Sequence, residues 1–382
     1  MQTHNKFAKL AIFVVLGSLI VTLATLATAQ SDLVGPIRAS AATVPTNVLG
    51  IRTYAKPPGD FNPLMATDAE LAVYGFPQRP DTQAHPDQYA EWERAMKAAK
   101  TRWSGDLKPL PAGEHGMIPS GSLPLPEAAQ QQTSGPKHIS TNNASGVIVS
   151  SGQKTFTKNS VDGVVATIVV PQVRMPFDTI SCTGNGFEVF SSVGIDGFVF
   201  NTGNGHGFYP QLQAGVFEQA SCSGELYYFA VVGWEGDYFV AFDVNPGDIV
   251  YAVASTEGGT NSSVYLEDYT ISTSASYAVT TRGIIGATAD WTVQRLCCSD
   301  NEPIPLANTV NIGFGRAFAG KGVVQQFFWP GSQASSTQVL TMTDDAGDQS
   351  IEEVTQGSSG SEGLAGLWFE TFNCAYSGGC TP

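Results

Sequence analysis

The sequence predicts an all-β fold over the C-terminal two-thirds of the chain. From residue 140 onward, short runs rich in Val, Tyr, Phe and Thr alternate with Gly, Asn, Asp and Pro, which is typical of strands joined by turns. No long amphipathic helix interrupts this pattern, which continues for more than 200 residues. These observations favour one antiparallel two-sheet β-sandwich over two separate domains.

The strands follow one another at short intervals. Asn245-Pro246-Gly247-Asp248 predicts a turn, and residues 357–366 predict a flexible loop before a last strand-like run at 367–372. The other predicted strands are residues 161–170, 187–193, 227–234, 238–244, 249–255, 263–271, 310–314, 323–329 and 338–343.

The first 29 residues indicate a secretory signal peptide. Lys6 and Lys9 precede or flank an almost wholly apolar stretch, residues 10–26, and Ala27-Thr28-Ala29 fits a cleavage site of small residues. A membrane anchor is the alternative, but the apolar stretch is short for a membrane span and a cleavage site follows it. We therefore predict a signal peptide at 1–29, a secreted chain, and no membrane association after cleavage.

Residues 30–139 are rich in Pro and in charged residues. Two short helices are predicted, at 67–74 and 87–102, and residues 109–136 predict a linker. The second helix places Tyr89, Trp92 and Met96 on one face and ends in a basic group: Arg94, Lys97, Lys100 and Arg102. This segment either docks its basic end on the region that follows or is a spacer with a solvated helix.

The negative charge lies in the β-region. Residues 140–382 hold 23 Asp and Glu against 7 Lys and Arg, and the whole chain has a net charge of −15. Such a surface repels nucleic acid and anionic lipid, so neither is expected as a partner. The acidity serves either solubility or work at low pH, where the carboxylates protonate.

All six cysteines lie in this acidic region, and an even number in an exported chain predicts disulfides. Cys182 and Cys222 could pair with each other, and Cys374 and Cys380 could pair locally. The partners of the adjacent Cys297 and Cys298 stay open. No Cys/His spacing matches a zinc site, and no cofactor is expected.

Three motifs follow one another in the β-region: Val193-Gly194-Ile195-Asp196-Gly197, Leu212-Gln213-Ala214-Gly215-Val216 and Ala289-Asp290-Trp291. Their order resembles the glutamic peptidases (eqolisins), and the resemblance covers roughly residues 141–372. It implies a concanavalin-like sandwich of two bent sheets with a substrate cleft on a concave face. The implied domains are a pro-like segment with its linker at 30–139, a sandwich at 140–373 and a Cys-containing tail at 374–382.

The resemblance implies that Gln213 and Asp290 form the catalytic pair. A Gln amide can stabilise an oxyanion without titrating, and a carboxylate can take a proton from water. The family has Glu where this chain has Asp290, whose reach is shorter by one methylene. Catalysis is therefore either impaired or lost. Alternatively, the two residues have structural roles: Gln213 hydrogen-bonds other polar groups between the sheets, and Asp290 is an ordinary strand residue.

Other family positions also differ. Aromatic residues that line the family's cleft are replaced at Ala144, at Ser192 and within residues 230–234, whereas Trp234 remains. Asp196, Trp234 and Trp291 are the expected substrate-binding residues. Loss of aromatic contact area weakens the grip on a peptide.

The predicted function is that of a secreted acid endopeptidase of the glutamic type, without cofactor and monomeric. Its expected partners are a polypeptide substrate and, before maturation, its own pro-segment, and its expected working range is about pH 3 to 5. The alternatives are a non-catalytic peptide- or glycan-binding sandwich, with stacking residues Tyr227, Tyr228, Trp234 and Tyr238, and an exported structural protein. The HExxH, GxSxG and Asp-Thr/Ser-Gly motifs of other hydrolases are absent.

Overall fold

Two facing β-sheets enclose the main apolar core of the protein. The structure is a computed structural model in which all described residues belong to one unit, Leu33–Pro382. It describes residues 43–103, 105–110, 137–141, 144–150, 161–175, 182, 186–197, 211–234, 236–296, 305–309, 311–321, 326–328, 336–343, 350–359, 364–371, 373–375 and 379–381. The predicted signal peptide lies outside these residues.

Residues 43–110, which we call the N-terminal segment, hold the two described helices, α1 (Asp68–Val73) and α2 (Pro86–Ala98). The strands of this segment are β1 (Thr43–Pro45), β2 (Ile51–Tyr54), β3 (Thr101–Arg102) and β4 (Lys108–Pro109). The later strands are β5 (Lys137–Thr141), β6 (Ala144–Ser150), β7 (Gly163–Val169), β8 (Phe187–Ile195), β9 (Leu212–Ala220), β10 (Leu226–Trp234), β11 (Asp237–Asp243), β12 (Ile249–Asp268), β13 (Thr273–Ile284), β14 (Ala289–Gln294), β15 (Asn311–Lys321), β16 (Gln326–Phe328), β17 (Ser336–Thr343), β18 (Ser350–Ser359), β19 (Leu364–Thr371), β20 (Asn373–Ala375) and β21 (Gly379–Thr381).

The first sheet has the strand order β4-β11-β10-β9-β8-β14-β6-β17-β5. The second runs β2-β13-β12-β7-β15-β19-β18, and hydrogen bonding passes between the sheets through β17 and β18. Apart from the short parallel pairs of β5 with β17 and β3 with β13, these pairings are antiparallel. The predicted antiparallel two-sheet sandwich is confirmed.

Along each strand of the first sheet, side chains point alternately to the core and to the outer face. Val193, Ala214 and Trp291 point into the core between the sheets, together with Ile168 and Leu266 from the second sheet. Trp291 also links the sheets, because its Nε1 donates a hydrogen bond to the carbonyl oxygen of Val165 at 3.0 Å. The residues between the inward ones therefore form the outer face of the first sheet.

Both predicted helices are confirmed, with a shorter second one. Thr67 caps α1 through a capping box with Glu70, and Pro86 opens α2, where its missing N–H costs nothing. α2 buries Trp92 and Met96, as its periodicity predicts. The chain then leaves the helix, and residues 101–102 pair as β3 with β13.

Two predictions about strands are wrong. Residues 249–255 and 263–271 were expected as separate strands, but one strand, β12, runs through the first and to Asp268 in the second, with a register shift between Gly259 and Asn261. Residues 357–366 were expected as a loop, yet most of them belong to the β18–β19 ladder, where Gly357 pairs with Gly366. Backbone hydrogen bonds hold both stretches, so the small and polar side chains that suggested turns do not break them.

Several local predictions are confirmed. Asn245–Asp248 forms a turn, in which the N–H of Asp248 donates to the carbonyl of Asn245 at 3.0 Å. Cys182 and Cys222 form a disulfide. The backbone places Cys374 opposite Cys380 in the β20–β21 pair, whereas Cys297 and Cys298 lie outside the described residues. No helix in the described part of the chain is long and apolar enough to span a membrane.

Several carboxyl groups are buried in the sandwich. Glu188 is fully buried and accepts one hydrogen bond, from Gln219 Nε2 at 2.8 Å. Glu218 is also fully buried, and neither of its carboxyl oxygens has a hydrogen-bond partner among the residues that the structure describes. Burial disfavours the ionised form, so it raises the pKa of both groups.

Glu188 gives this burial a measurable consequence. Its pKa rises from an ordinary value of 4.5 to about 8 on folding. Below pH 4.5 the carboxyl is neutral in both the folded and the unfolded protein, and burying it costs least. As the pH rises toward 8, the unfolded protein releases this proton more readily than the folded one, so the free energy of unfolding falls. We expect the Tm, followed by circular dichroism, to fall across this range, and Glu188→Gln to reduce the fall. The exposed Glu225→Gln is the control, and equal slopes for the two variants would contradict the prediction.

Candidate active site

The two predicted catalytic residues lie on neighbours of one strand, β8. Gly194 of β8 is opposite Gln213 of β9 on one side and opposite Asp290 of β14 on the other. Residues in register point to the same face of a sheet, so both side chains project from the outer face. Their Cα atoms are two strand spacings apart, about 10 Å. The structure therefore brings the predicted pair together across a single glycine.

Gly194 leaves the space that Asp290 occupies. A Cβ atom at Gly194 would lie 2.6 Å from Oδ1 and 2.8 Å from Oδ2 of Asp290. Such distances are shorter than any ordinary contact, so a side chain here would displace the carboxyl group. The glycine of the first motif is thus part of the site's geometry.

Asp290 is fully buried among hydrogen-bond donors. Gln211 Nε2 lies 3.3 Å from Oδ1 and 3.4 Å from Oδ2, and Thr292 Oγ1 lies 3.4 Å from Oδ1. Burial raises the pKa of Asp290 well above its ordinary value, the hydrogen bonds from Gln211 and Thr292 lower it, and the charge of Asp196 adds a smaller rise. The environment makes this carboxyl a stronger base than an exposed aspartate.

Gln213 is held at both ends of its amide. Its Nε2 donates to Ser192 Oγ at 2.9 Å, and its Oε1 accepts from the hydroxyl of Tyr238 at 3.3 Å. Gly233, opposite Gln213 on β10, makes room for the Tyr238 ring, since a Cβ there would lie 2.8 Å from a ring carbon. These contacts fix which way the amide points, with NH2 toward β8.

Asp196 organises the backbone that leads into β14. Its carboxyl accepts N–H hydrogen bonds from four consecutive residues, 285–288, at 2.6, 3.1, 2.7 and 3.4 Å. Its own φ of 62° turns the chain sharply after β8. Asp290 follows two residues later, so Asp196 sets where β14 begins. The structure assigns Asp196 a backbone-positioning contact, and its expected contact with substrate stays a prediction.

The two tryptophans expected to bind substrate lie elsewhere. Trp291 is fully buried between the sheets, on the opposite side of β14 from Asp290. Trp234 packs against the same core, and its ring lies over Gly50 of the N-terminal segment, 2.8 Å from where a Cβ would be. Neither side chain shares the outer face with Gln213 and Asp290.

Gln211 is a site residue that the sequence analysis did not single out. Its side chain crosses Gly197, where a Cβ would lie 2.4 Å from Gln211 Cδ, and it ends at the Asp290 carboxyl. The available signal was its spacing, since a residue two positions before Gln213 shares its face in an extended chain. Each Gly of the first motif therefore accommodates one side chain of the site.

Aromatic side chains continue the outer face beyond Gln213. Phe229 stacks on Phe217 with ring centroids 6.4 Å apart and on Tyr227 at 6.3 Å. Phe190 meets Tyr238 edge to face at 5.2 Å. This apolar strip lies at positions other than those where the family's cleft aromatics are replaced. Within the described residues, no group of three or more His, Cys, Asp and Glu side chains is placed to hold a metal ion.

Comparison with protein-family models places most of the β-region in one family. The model of the Peptidase A4 family, the eqolisin or glutamic peptidase family, matches residues 142–359, which is more than half of the chain. No curated protein matches significantly.

The similar solved structures are distant in sequence. Scytalido-glutamic peptidase with a transition-state analogue inhibitor is 18% identical, with a TM-score of 0.44 over 60% of this chain and 98% of that one. SCP-B, an eqolisin in complex with the tripeptide Ala-Ile-His, has 18% identity and a TM-score of 0.43 over 60% and 98%. Aspergilloglutamic peptidase from Aspergillus niger has 19% identity and a TM-score of 0.39 over 48% and 99%. By its family match, the chain belongs to the Peptidase A4 family of glutamic peptidases.

Proposed function

We propose that the protein is a secreted endopeptidase of the glutamic type that hydrolyses peptide bonds with Gln213, Asp290 and one water molecule. The observation that carries this proposal is the row Gln213–Gly194–Asp290 across three adjacent strands. An amide donor and a buried carboxyl project from one face, and the residue between them in the register is a glycine. In this proposal the scissile carbonyl and its attacking water lie between the two groups.

Asp290 is the general base in this proposal. The ionised carboxylate takes a proton from water as the water oxygen attacks the carbonyl carbon, and the neutral acid then protonates the leaving amine. Because burial raises the pKa of Asp290, the base becomes protonated at a higher pH than an exposed aspartate would. The acidic limb of activity therefore lies above pH 3.8.

Gln213 stabilises the oxyanion. Its NH2 group carries two N–H donors, and Ser192 takes one of them. The hydroxyl of Tyr238 on Oε1 keeps the amide from flipping. The second N–H is then available to the carbonyl oxygen as negative charge develops there, and such a preorganised donor lowers the barrier in a water-poor site.

Gln211 compensates for the shorter acid. Its NH2 contacts both oxygens of Asp290, so it fixes the carboxyl plane and stabilises the ionised form. A glutamate would reach farther from the same backbone position, whereas Asp290 is held in place by this second amide. Gln211 is thus a positioning residue for the base.

The binding-module alternative is less well supported. Its four candidate stacking residues divide between the two faces of the first sheet: Tyr228 and Trp234 pack on the core side, whereas Tyr238 belongs to the outer-face cluster and Tyr227 stacks on that cluster's Phe229. They do not form one stacking surface. The strip of Tyr227, Phe229 and Phe217 instead extends the catalytic face, where it suits apolar side chains of a peptide substrate.

Export and processing belong to the same proposal. The sequence of residues 1–29 supports a cleaved signal, and the change in composition near residue 140 supports a second cut. We expect N-terminal sequencing of protein from the culture medium to find one form beginning near Gln30 and a shorter one near residue 140. A single species that keeps Met1 would contradict the signal peptide, and absence of the shorter form would contradict processing.

The roles of the pair can be tested with two substitutions. Asp290→Glu should extend the reach of the carboxylate and raise the proteolysis of a denatured protein. Adding Gln213→Ala should reduce that activity by about 10² to 10³-fold, because one oxyanion donor is lost. Asp243→Glu, at an exposed position of β11, is the matched control and should change nothing. If Asp290→Glu folds normally by circular dichroism yet cleaves nothing between pH 3 and 7, the peptidase proposal is wrong and a binding role leads.

The role of Gln211 can be tested through the pKa of Asp290. Removing its N–H donors with Gln211→Leu should raise the pKa of Asp290 and shift the acidic limb of kcat/KM to higher pH. NMR titration of ¹³C-labelled aspartate, assigned with Asp290→Asn, gives the same pKa without relying on activity. Gln219→Leu is the control, since Gln219 is also buried and bonds a carboxyl, that of Glu188. An unchanged pKa of Asp290 in Gln211→Leu would remove Gln211 from the site.

A further inference from the structure

The N-terminal segment pairs with the edge strands of both sheets. β2 continues the second sheet, with Thr53 opposite Tyr277 of β13, and β3 runs beside the start of the same strand. β4 continues the first sheet, with Lys108 opposite Val240 of β11. An unpaired edge exposes a row of N–H and C=O groups that invites association with other chains. The segment covers part of the edge on each sheet.

The same segment closes the apolar core between these edges. Ile51 and Leu107 are buried in the main core cluster, each with 1% of its surface exposed. The side chain of Asn47 ties the two parts of the segment together, because its Nδ2 donates to the carbonyl of Leu107 at 2.7 Å and its Oδ1 accepts from the N–H of Leu107 at 3.0 Å. Without the segment, this side of the core would face water.

The helical part covers the outer face of the second sheet. Aromatic and aliphatic side chains of both halves form one cluster there, with Leu71, Phe76, Trp92 and Met96 from the segment and Val165, Tyr251, Val253, Tyr265 and Phe318 from the sheet. Monomeric soluble proteins rarely expose contiguous apolar patches larger than a few hundred Å². Removal of the segment would uncover such a patch.

Buried charges also cross this interface. The Arg102 guanidinium lies 4.5 Å above the Phe76 ring and 5.5 Å from that of Tyr265, and it donates to the carbonyl of Tyr74 at 3.0 Å. Burial raises the pKa of Glu267 in β12, and the hydroxyl of Tyr265 and the charge of Arg102 lower it. Arg102 thus joins the two sides of the interface, with Phe76 and Tyr74 on one side and Tyr265 on the other.

In an ion pair across the same interface, the N-terminal segment supplies the acid and the sheet supplies the base. Glu91 of α2 is fully buried, forms an ion pair with Arg316 of β15, and accepts a hydrogen bond from the hydroxyl of Tyr269 at 3.1 Å. Of the predicted basic end, Arg102 is buried in the interface, whereas Arg94 contacts Glu91 of the same helix at 3.3 Å. Lys97 pairs within the helix with Glu93 at 3.0 Å.

We propose that residues 43–110 are a permanent part of the folded protein, so that cleavage between residues 111 and 136 gives a two-chain molecule whose N-terminal chain stays bound. The partner that fits the β11 edge, the β13 edge and the outer face of the second sheet is this segment itself. Maturation at the linker therefore removes the covalent connection and leaves the interface in place. The proposal does not depend on peptidase activity.

The direct test cuts the full secreted chain at one place. A recognition sequence for a site-specific protease is inserted between residues 111 and 136, and the protein is cleaved and run on gel filtration without denaturant. We expect both chains in one peak, with the Tm of the uncut protein. Separation of the two chains under these conditions overturns the proposal, whether or not the larger chain remains folded.

The buried charges provide a second test in the uncut protein. Arg102→Met should lower the Tm by roughly 5 °C, because it removes the contacts of the guanidinium with the Phe76 and Tyr265 rings and with the carbonyl of Tyr74. Lys97→Met, on the exposed side of α2, should change it little. Combining Arg102→Met with Phe76→Leu should cost less than the two single losses added together, because both changes remove the same contact. A Tm for Arg102→Met equal to that of Lys97→Met, or strict additivity in the double mutant, would contradict a permanent interface built around Arg102.

Discussion

The pairing of β8 with β9 on one side and with β14 on the other determines what the outer face of the first sheet can do. This register aligns an amide, a glycine and a carboxyl in one row, and every other feature of the site depends on it. Gly194 must lack a side chain because Asp290 lies above it. Trp291, one residue later, fixes the same strand from the core side by its bond to Val165. Of two neighbouring residues of β14, Trp291 thus anchors the strand in the core and Asp290 places its carboxyl group on the outer face.

Burying the Asp290 carboxyl in the row Gln213–Gly194–Asp290 costs free energy of folding. A carboxyl buried under an amide and a hydroxyl is destabilising once it ionises, and the fold contains further buried carboxyls at Glu188 and Glu218. In an acidic medium these groups are neutral and the burden is relieved. The burial that makes Asp290 a stronger base therefore also lowers the stability of the fold as the pH rises. The two effects oppose each other, because the proposed base must be ionised to act, whereas the fold is more stable while this carboxyl is neutral.

Sequence reasoning predicted the fold class, both helices, the Cys182–Cys222 disulfide and the residues that meet at the site. It succeeded there because strand alternation, helix caps and short motifs are local signals. It missed Gln211 because spacing indicates only the face of this residue, whereas its contact with Asp290 passes over Gly197, a residue with a φ of 85° that is distant in sequence. It treated residues 357–366 as a loop because a Gly- and Ser-rich ladder has no side-chain signature. The strands that carry Gln213 and Asp290 were also absent from the predicted set, since both are short of the Val, Tyr, Phe and Thr runs on which that set was based.

The shared row also sets limits on how the chain can change in length. Side chains alternate with a period of two along β8, β9 and β14, so one inserted or deleted residue within any of them turns its later side chains to the other face. Gly194 would then face the core, or Gln213 and Asp290 would lose their common side. Length changes between these strands leave the row untouched. Related proteins that keep the pair are therefore expected to differ in the lengths of their connections and to keep the spacing within each of the three motifs.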